Sequence, residues 1–345
     1  AKTAVIASEE RGEKISLLTA KDKVDASHNQ FQKDVGALIS KNPRITKSFN
    51  INYSFKEAFN GVSMTLPANE IEKVLESHSV KTIWSDVKIQ GIQPVEKEKE
   101  NGKVNLKTVP SIGTEQLHTK GYTGEGVKVA VIDTGIDYNH PDLKEAYKGG
   151  YDFVDNDADP METTYDDWKK SGWPEFNNSS AYYTSHGTHV AGIIAGQGMN
   201  DHEFAVTGVS PDVDLYGYRV LGPYGSGMSS HIIAAIEKAT NDGMDIMNLS
   251  LGANINDPFY PTSIAVNNAV LAGVTTVVAA GNSGSEMKTL GSPGSSTLAL
   301  TVGANDVSVT VPTFTGGITG DGDATDVDLR LLAKSLSDNI PLLEG

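Results

Sequence analysis

The sequence contains no cysteine, which removes disulfides, thiolate metal sites and a cysteine nucleophile from consideration across its 345 residues. Basic residues are scarce: 28 Lys and Arg stand against 44 Asp and Glu, a formal charge of −16. A nucleic-acid binder usually carries a basic face, and a protein held on anionic lipid needs one too, so both classes are disfavoured. The same balance suits a soluble protein that binds divalent cations. No apolar run approaches the roughly 18 residues that span a bilayer. The N-terminus, AKTAVIASEERGEK, has no charged-then-apolar leader, so any signal peptide is expected to be absent already from this chain.

What remains is an ordinary globular mixture, 38% hydrophobic and 21% charged, long enough for two domains and a large core. Residues 94–107, PVEKEKENGKVNLK, form a charged stretch with Pro94 and Gly102. We read residues 96–107 as an exposed linker. Before it, Phe31, Val35, Leu38 and Ile39 recur at helical spacing. SFNINYSF and FNGVSMTLP follow as strands, Ile71, Val74 and Leu75 mark a second helix, and VKTIW a further strand. The order α-β-β-α-β predicts a ferredoxin-like α+β domain over 1–95 that lacks its first strand.

After the linker the rhythm changes. VKVAVID, DLYGYRVL, MDIMNLSL, VTTVVAA and LALTVGA are short, nearly continuous apolar runs separated by helical patterns such as Ile232, Ile233 and Ile236. Buried strands alternating with helices predict an α/β fold, a parallel sheet covered on both faces, over 108–303. Functional groups then gather beyond the carboxyl ends of the strands. Residues 304–345 look like the opening of another, inserted module. Its DGDATDVD matches only the second half of an EF-hand loop, with Gly317 and Thr319 in the first ligand positions, and reads better as a solvated acidic turn.

Asp133 ends the run VKVAVID and precedes Thr134-Gly135. An Asp-Thr-Gly of the aspartic-protease kind needs a second such aspartate and a mostly β fold, and neither is present. His186 and His189 in SHGTHVAG are three apart with Gly187 and Thr188 between, whereas the zinc-protease helix uses His-Glu-x-x-His. Both segments are accounted for by an Asp–His pair of a serine-protease triad. A carboxylate at a strand end fixes the tautomer of an imidazole on a helix, and that imidazole deprotonates a serine. His186 is then the base and His189 a packed neighbour. Residues 152–159, DFVDNDAD, carry Asp152, Asp155, Asp157 and Asp159. Such a run of hard oxygen ligands suits Ca²⁺.

VIDTGIDYNHPDL, HGTHVAGIIAG, NLSLG and AAGNSG together resemble four blocks of the subtilisin family, in that family's order. The resemblance covers residues 108–303 and fits the longer form with an inserted protease-associated domain. It implies a secreted serine endopeptidase, with protein or peptide substrates and no nucleic-acid partner or membrane span. Asp133 would orient, His186 act as general base, and Asn282 serve the oxyanion hole. Ser250, Leu251 and Gly252 would form one backbone edge of the substrate groove, and Gly225, Ser226 and Gly227 the other. The resemblance also likens DFVDNDAD to a calcium loop of heat-stable members, and Asp142 to a further calcium ligand whose partner loop, GMNDHEF, differs. It makes residues 1–95 an inhibitory propeptide whose tail lies in the cleft.

The family's nucleophile lies in a Gly-Thr-Ser-Met-type segment at the head of a helix, and this sequence has none. Ser292, Ser295 and Ser296 in GSPGSSTLAL lead into a strand, and Ser283 serves no better. The chain is therefore expected to be part of a longer proenzyme, inactive by itself. Two other classes compete: a non-catalytic peptide binder on the same fold, and a calcium-stabilised adhesion module.

Overall fold

The computed structural model describes residues 1–39, 49–91, 112–199, 206–304, 313–318 and 325–330. The expected linker 96–107 lies outside them. The N-terminal region begins with α1 (Lys2–Glu10) and α2 (Leu17–Ile39), then the antiparallel pair β1 (Asn50–Phe55) and β2 (Gly61–Thr65), and the short α3 (Ile71–Val74). Phe31 and Val35, one helical turn apart, bury against Val74 with Ile51, Val62 and Met64 around them. That cluster is why α2 lies across the β1–β2 face. Residues 80–84, expected as a strand, form no ladder. Trp84 instead packs edge-on against Phe59, and the Ser85 carbonyl accepts from the Tyr260 hydroxyl at 3.0 Å. The strand comes later, as β3 (Lys88–Gly91), and joins a different sheet.

The second region continues with α4 (Thr114–His118), β4 (Lys128–Asp133), β5 (Tyr147–Asp152), α5 (Tyr165–Ser171) and the small hairpin β6 (Phe176–Asn177) and β7 (Ser180–Ala181). Then come α6 (His186–Ala195), β8 (Asp214–Arg219), β9 (Ser226–Met228), α7 (Ser229–Asp242), β10 (Ile246–Leu249) and β11 (Leu251–Gly252). The region ends with α8 (Pro261–Leu271), β12 (Thr275–Ala279) and β13 (Leu300–Val302). Six of these strands form one parallel sheet in the order β13-β12-β10-β4-β8-β5. Successive β4 side chains bury on opposite faces: Val129 and Val131 against α6, Ala130 and Ile132 against α7 and α8. Burial on both sides explains the unbroken apolar run that the sequence shows there. From β8 the chain crosses β4 to enter β10, so the strand order reverses beside β4, where crevices form in such sheets.

The two regions share one core. Phe55, Ala58 and Ile89 belong to the same buried cluster as Ile232, Ile233 and Ile236 of α7. Polar contacts reinforce the seam. The Glu237 carboxylate accepts from the backbone amides of Lys56, Glu57, Ala58 and Phe59 at 2.6–2.9 Å. Asp86 caps the start of α7, accepting from the Ser230 amide at 2.9 Å and from the Ser229 and Ser230 hydroxyls at 2.7 Å. Beyond β13, β14 (Thr313–Ile318) and β15 (Thr325–Arg330) pair antiparallel. The second half of DGDATDVD is thus a strand rather than the entry to an EF-hand helix, and its first half lies outside the described residues.

Candidate active site

Asp133 is the last residue of β4 and wholly buried, and His186 is the first residue of α6. His186 Nδ1 lies 2.7 Å from Asp133 Oδ1, which also accepts from the Thr134 amide at 2.7 Å. An ionised carboxylate can only accept, so Nδ1 carries the hydrogen and Nε2 is the basic nitrogen. The imidazole is 12% exposed, open enough to meet a reactant and buried enough to strengthen the bond behind it.

Close backbone approach sets this geometry. A Cβ on Gly187 would lie 2.1 Å from the Gly135 carbonyl oxygen and 3.1 Å from Asp133 Cβ. Gly135 itself has φ +122°, and a Cβ there would meet the Met161 carbonyl at 2.7 Å. Only glycine fits either position. The Gly187 amide donates to the Thr134 hydroxyl at 2.8 Å, a second tie parallel to the Asp133–His186 bond. His189, expected as a packed neighbour, is exposed on α6. Three residues of helix turn it away from β4, so it neither packs in the core nor meets the Asp133 carboxylate.

Beside this pair lies a three-stranded antiparallel sheet, β11-β3-β9. Ile89 pairs with Gly227 and Gln90 with Ser226 on one side, while Gln90 pairs with Gly252 and Gly91 with Leu251 on the other. Leu251, Gly252, Ser226 and Gly227 therefore flank one extended segment of the same chain. Gly225 ends the turn leading into β9, and Ser250 joins β10 to β11. Ile89 is completely buried. A Cβ on Gly227 would lie 2.0 Å from the Val220 carbonyl, so the edge can lie this close only as glycine.

Asn282 lies in the exposed turn after β12, at the carboxyl end of the sheet that also carries Asp133. Ser292 is fully buried, its hydroxyl bonded to those of Thr262 at 2.9 Å and Ser263 at 2.6 Å. Ser296 bonds to the Pro293 carbonyl at 2.6 Å and Ser295 to that of Asp257 at 3.1 Å. These serines hold a loop together.

The expected calcium loop is arranged differently. Asp152 is buried, accepts from the Val154 amide at 2.6 Å and bonds through its other oxygen to the Arg219 guanidinium. Asp155 bonds to the same guanidinium at 2.6 Å, and Arg219 also donates to Thr163 at 2.8 Å. Asp157 accepts from the Asp159 amide at 2.8 Å, and Asp159 from the Tyr138 hydroxyl at 2.7 Å. Burial pushes the Asp152 carboxyl up while Arg219 pulls it back. Burial likewise opposes the charge on Arg219, but the two aspartates prevail and raise it. No group of three or more acidic or histidine side chains among the described residues is placed to hold a metal. No metal site is shown at Asp152, Asp155, Asp157 and Asp159, and in this arrangement Arg219 is the cation bonded to two of them. Asp142 is engaged too, accepting from the Met199 amide at 2.8 Å.

Sequence reasoning missed Glu162, Thr134 and Thr188. Glu162 is buried behind the pair, 6% exposed, and accepts from the Thr184 hydroxyl at 2.6 Å and the Thr188 amide at 2.9 Å. A lone glutamate in METTYDD carries no signal of burial.

Residues 124–331 match the Subtilase family, and residues 8–90 match the family described as Peptidase inhibitor I9. The chain is 42% identical over 272 residues to the Minor extracellular protease Vpr of Bacillus subtilis, an alignment covering 76% of this chain and 32% of that protein. It is 33% identical over 275 residues to Subtilisin amylosacchariticus of Bacillus subtilis subsp. amylosacchariticus, covering 79% and 64% respectively. Identity to Alkaline elastase YaB of Bacillus sp. is 39% over 196 residues, covering 57% and 44%. The chain thus spans about a third of the first relative and under two thirds of the second.

Proposed function

The chain belongs to the subtilase family, and from that premise we propose that it is the base-bearing part of a secreted serine endopeptidase, with its own inhibitory segment in the cleft. The observation that carries this reading is the 2.7 Å bond between Asp133 and His186 at the mouth of a cleft that binds extended backbone. Asp133 fixes the imidazole with Nε2 facing the reaction. His186 takes the proton of a serine as it attacks the peptide carbonyl, then returns it to the leaving amine. Asn282 donates to the oxygen on which charge develops only in the transition state. Ser226–Gly227 and Leu251–Gly252 hold the substrate as a strand. With Gly225 and Ser250 they make the two groove edges.

The serine is not assigned to any position of this sequence, so the chain alone is expected to hydrolyse no peptide. Residues 1–95 act as the propeptide, in which β3 occupies the cleft like a bound product. The Bacillus subtilis relative is named as an extracellular protease, which supports secretion.

A longer protein that adds a Gly-Thr-Ser segment tests the proposal. It should cleave peptides, be blocked by a fluorophosphonate, and lose nearly all turnover on His186→Ala. Turnover that survives His186→Ala, or that a fluorophosphonate leaves untouched, would refute it. A longer protein that binds peptide yet never cleaves it would instead favour a non-catalytic binder on this fold.

A further inference from the structure

The first turn of α6 leaves amides that its own N-cap does not satisfy: Ser185 makes no side-chain capping bond. Groups remote in sequence supply the cap. The Gly187 amide donates to the Thr134 hydroxyl at 2.8 Å, and the Thr188 amide to Glu162 Oε1 at 2.9 Å. Glu162 is the centre of this arrangement. It accepts from the hydroxyls of Thr184 at 2.6 Å and Thr188 at 3.0 Å, and the Thr134 hydroxyl hydrogen-bonds to it as well.

Each of these threonines in turn accepts a backbone amide. Thr134 accepts from Gly187 at 2.8 Å, Thr184 from Thr163 at 3.0 Å and Thr188 from Asp137 at 2.8 Å. A hydroxyl has one hydrogen, so pointing it at Glu162 frees the oxygen to accept. One acceptor-only carboxylate thereby orients three hydroxyls, and they tie the loop after β4 and the segment at Thr163 to the start of α6. Thr134 follows Asp133 directly, and Gly187 follows His186 directly. The Thr134–Gly187 bond therefore fixes the separation at which Asp133 and His186 meet.

Burial raises the Glu162 carboxyl, and the nearby Asp133 adds to the rise, while Thr184, Thr188 and Thr134 pull it back. All of its bonds come from donors and none needs a hydrogen from it, which is the pattern an ionised carboxylate requires. The helix N-terminus also favours an anion there.

We propose that Glu162 is a positioning residue for the Asp133–His186 pair, acting through Thr134 and Thr188 rather than by touching substrate. This rests on the reading of His186 as the base. Glu162→Gln keeps the size but presents an amide N–H₂ to hydroxyls that must themselves donate. A hydroxyl then turns, its oxygen no longer meets the backbone amide, and the first turn of α6 loosens.

The test is NMR on this chain with ¹⁵N-labelled histidine, reading the His186 Nδ1 proton held by Asp133. In the wild type that proton should resonate at low field and exchange slowly with water. In Glu162→Gln it should vanish or exchange at least tenfold faster, while the exposed His189 signals and the near-ultraviolet circular dichroism stay unchanged. Thr184→Val removes one donor to Glu162 without touching α6, and should speed exchange in the same direction by a smaller factor. An unaltered His186 proton in a folded Glu162→Gln overturns the proposal. Should that variant fail to fold, an unaltered proton in Thr184→Val overturns it equally. Absence of the low-field proton in the wild type would count against the base reading itself, and with it this inference.

Discussion

Gly187 faces the carbonyl oxygen of Gly135 at a distance that leaves no room for a methyl group: its Cβ would lie 2.1 Å from that oxygen. Gly187→Ala must therefore push α6 away from the end of β4. We expect a loss of about 1–3 kcal/mol in urea unfolding from overpacking, together with loss of the Asp133–His186 bond. Gly192→Ala is the control on the same helix, since a Cβ there meets nothing within 4 Å. It should be neutral or stabilising by up to about 1 kcal/mol, as alanine favours helix.

Glu237 gathers four backbone amides of residues 56–59 onto one carboxylate. Glu237→Gln halves that acceptor and removes its charge. Hydrogen exchange at residues 56–59 should quicken about tenfold, because those amides lose charge-assisted bonds and open locally. Exchange in β4 and β10 should not change. Equal exchange at 56–59 in both proteins would show that apolar packing of Phe55 and Ala58 alone holds the seam.

Among the described residues, Arg219 is the only cation bonded to Asp152, which is 1% exposed. Arg219→Met leaves a buried carboxylate uncompensated and should cost about 3–5 kcal/mol in thermal or urea unfolding. Adding Asp152→Asn should restore much of the loss. A mild effect of Arg219→Met would mean that Asp152 relaxes to solvent or takes up a proton.

Tyr138 donates to Asp159 and stacks on Tyr147 with ring centroids 5.0 Å apart. The hydrogen bond to Asp159, then burial, push its phenol up to about 12. The folded value lies above the ordinary one of about 10, so the neutral form is favoured by folding. Its contribution is complete below pH 10 and is lost as pH rises from about 10 to about 12. Tyr138→Phe should be less stable at neutral pH and show a flatter decline across that alkaline window in pH-dependent urea melts. Parallel curves for the two proteins would remove this bond from the stability balance.

The doubly covered sheet was legible because β4 is buried on both faces, and β8, β10 and β12 are buried on one face and mostly half-buried on the other, so they read as apolar runs. β5 was not, since YKGGYD spends two positions on glycine. The reason is visible across the ladder, where a Cβ on Gly150 would overlap the Gly217 carbonyl at 1.7 Å. VKTIW misled because Val80 packs on the Phe31–Val35–Val74 cluster and Trp84 on Phe59, rather than in a ladder. The aspartate and histidine at the two strand and helix ends could be named from motif spacing. Glu162 could not, because its partners come from residues 134, 184 and 188, and only folding gathers them. Four aspartates in DFVDNDAD suggested a metal for the same reason in reverse. The charge that balances two of them, Arg219, is supplied from another strand.

β3 and the two edges it bridges belong to a single polypeptide, so filling of the groove is a unimolecular event. Its extent does not depend on how much protein is present, only on the effective concentration that a covalent connection imposes. One backbone cut in that connection changes the order of the process. The released tail must then find the groove by collision, and dilution alone begins to empty it. The intact chain is concentration-blind, and the nicked chain senses volume.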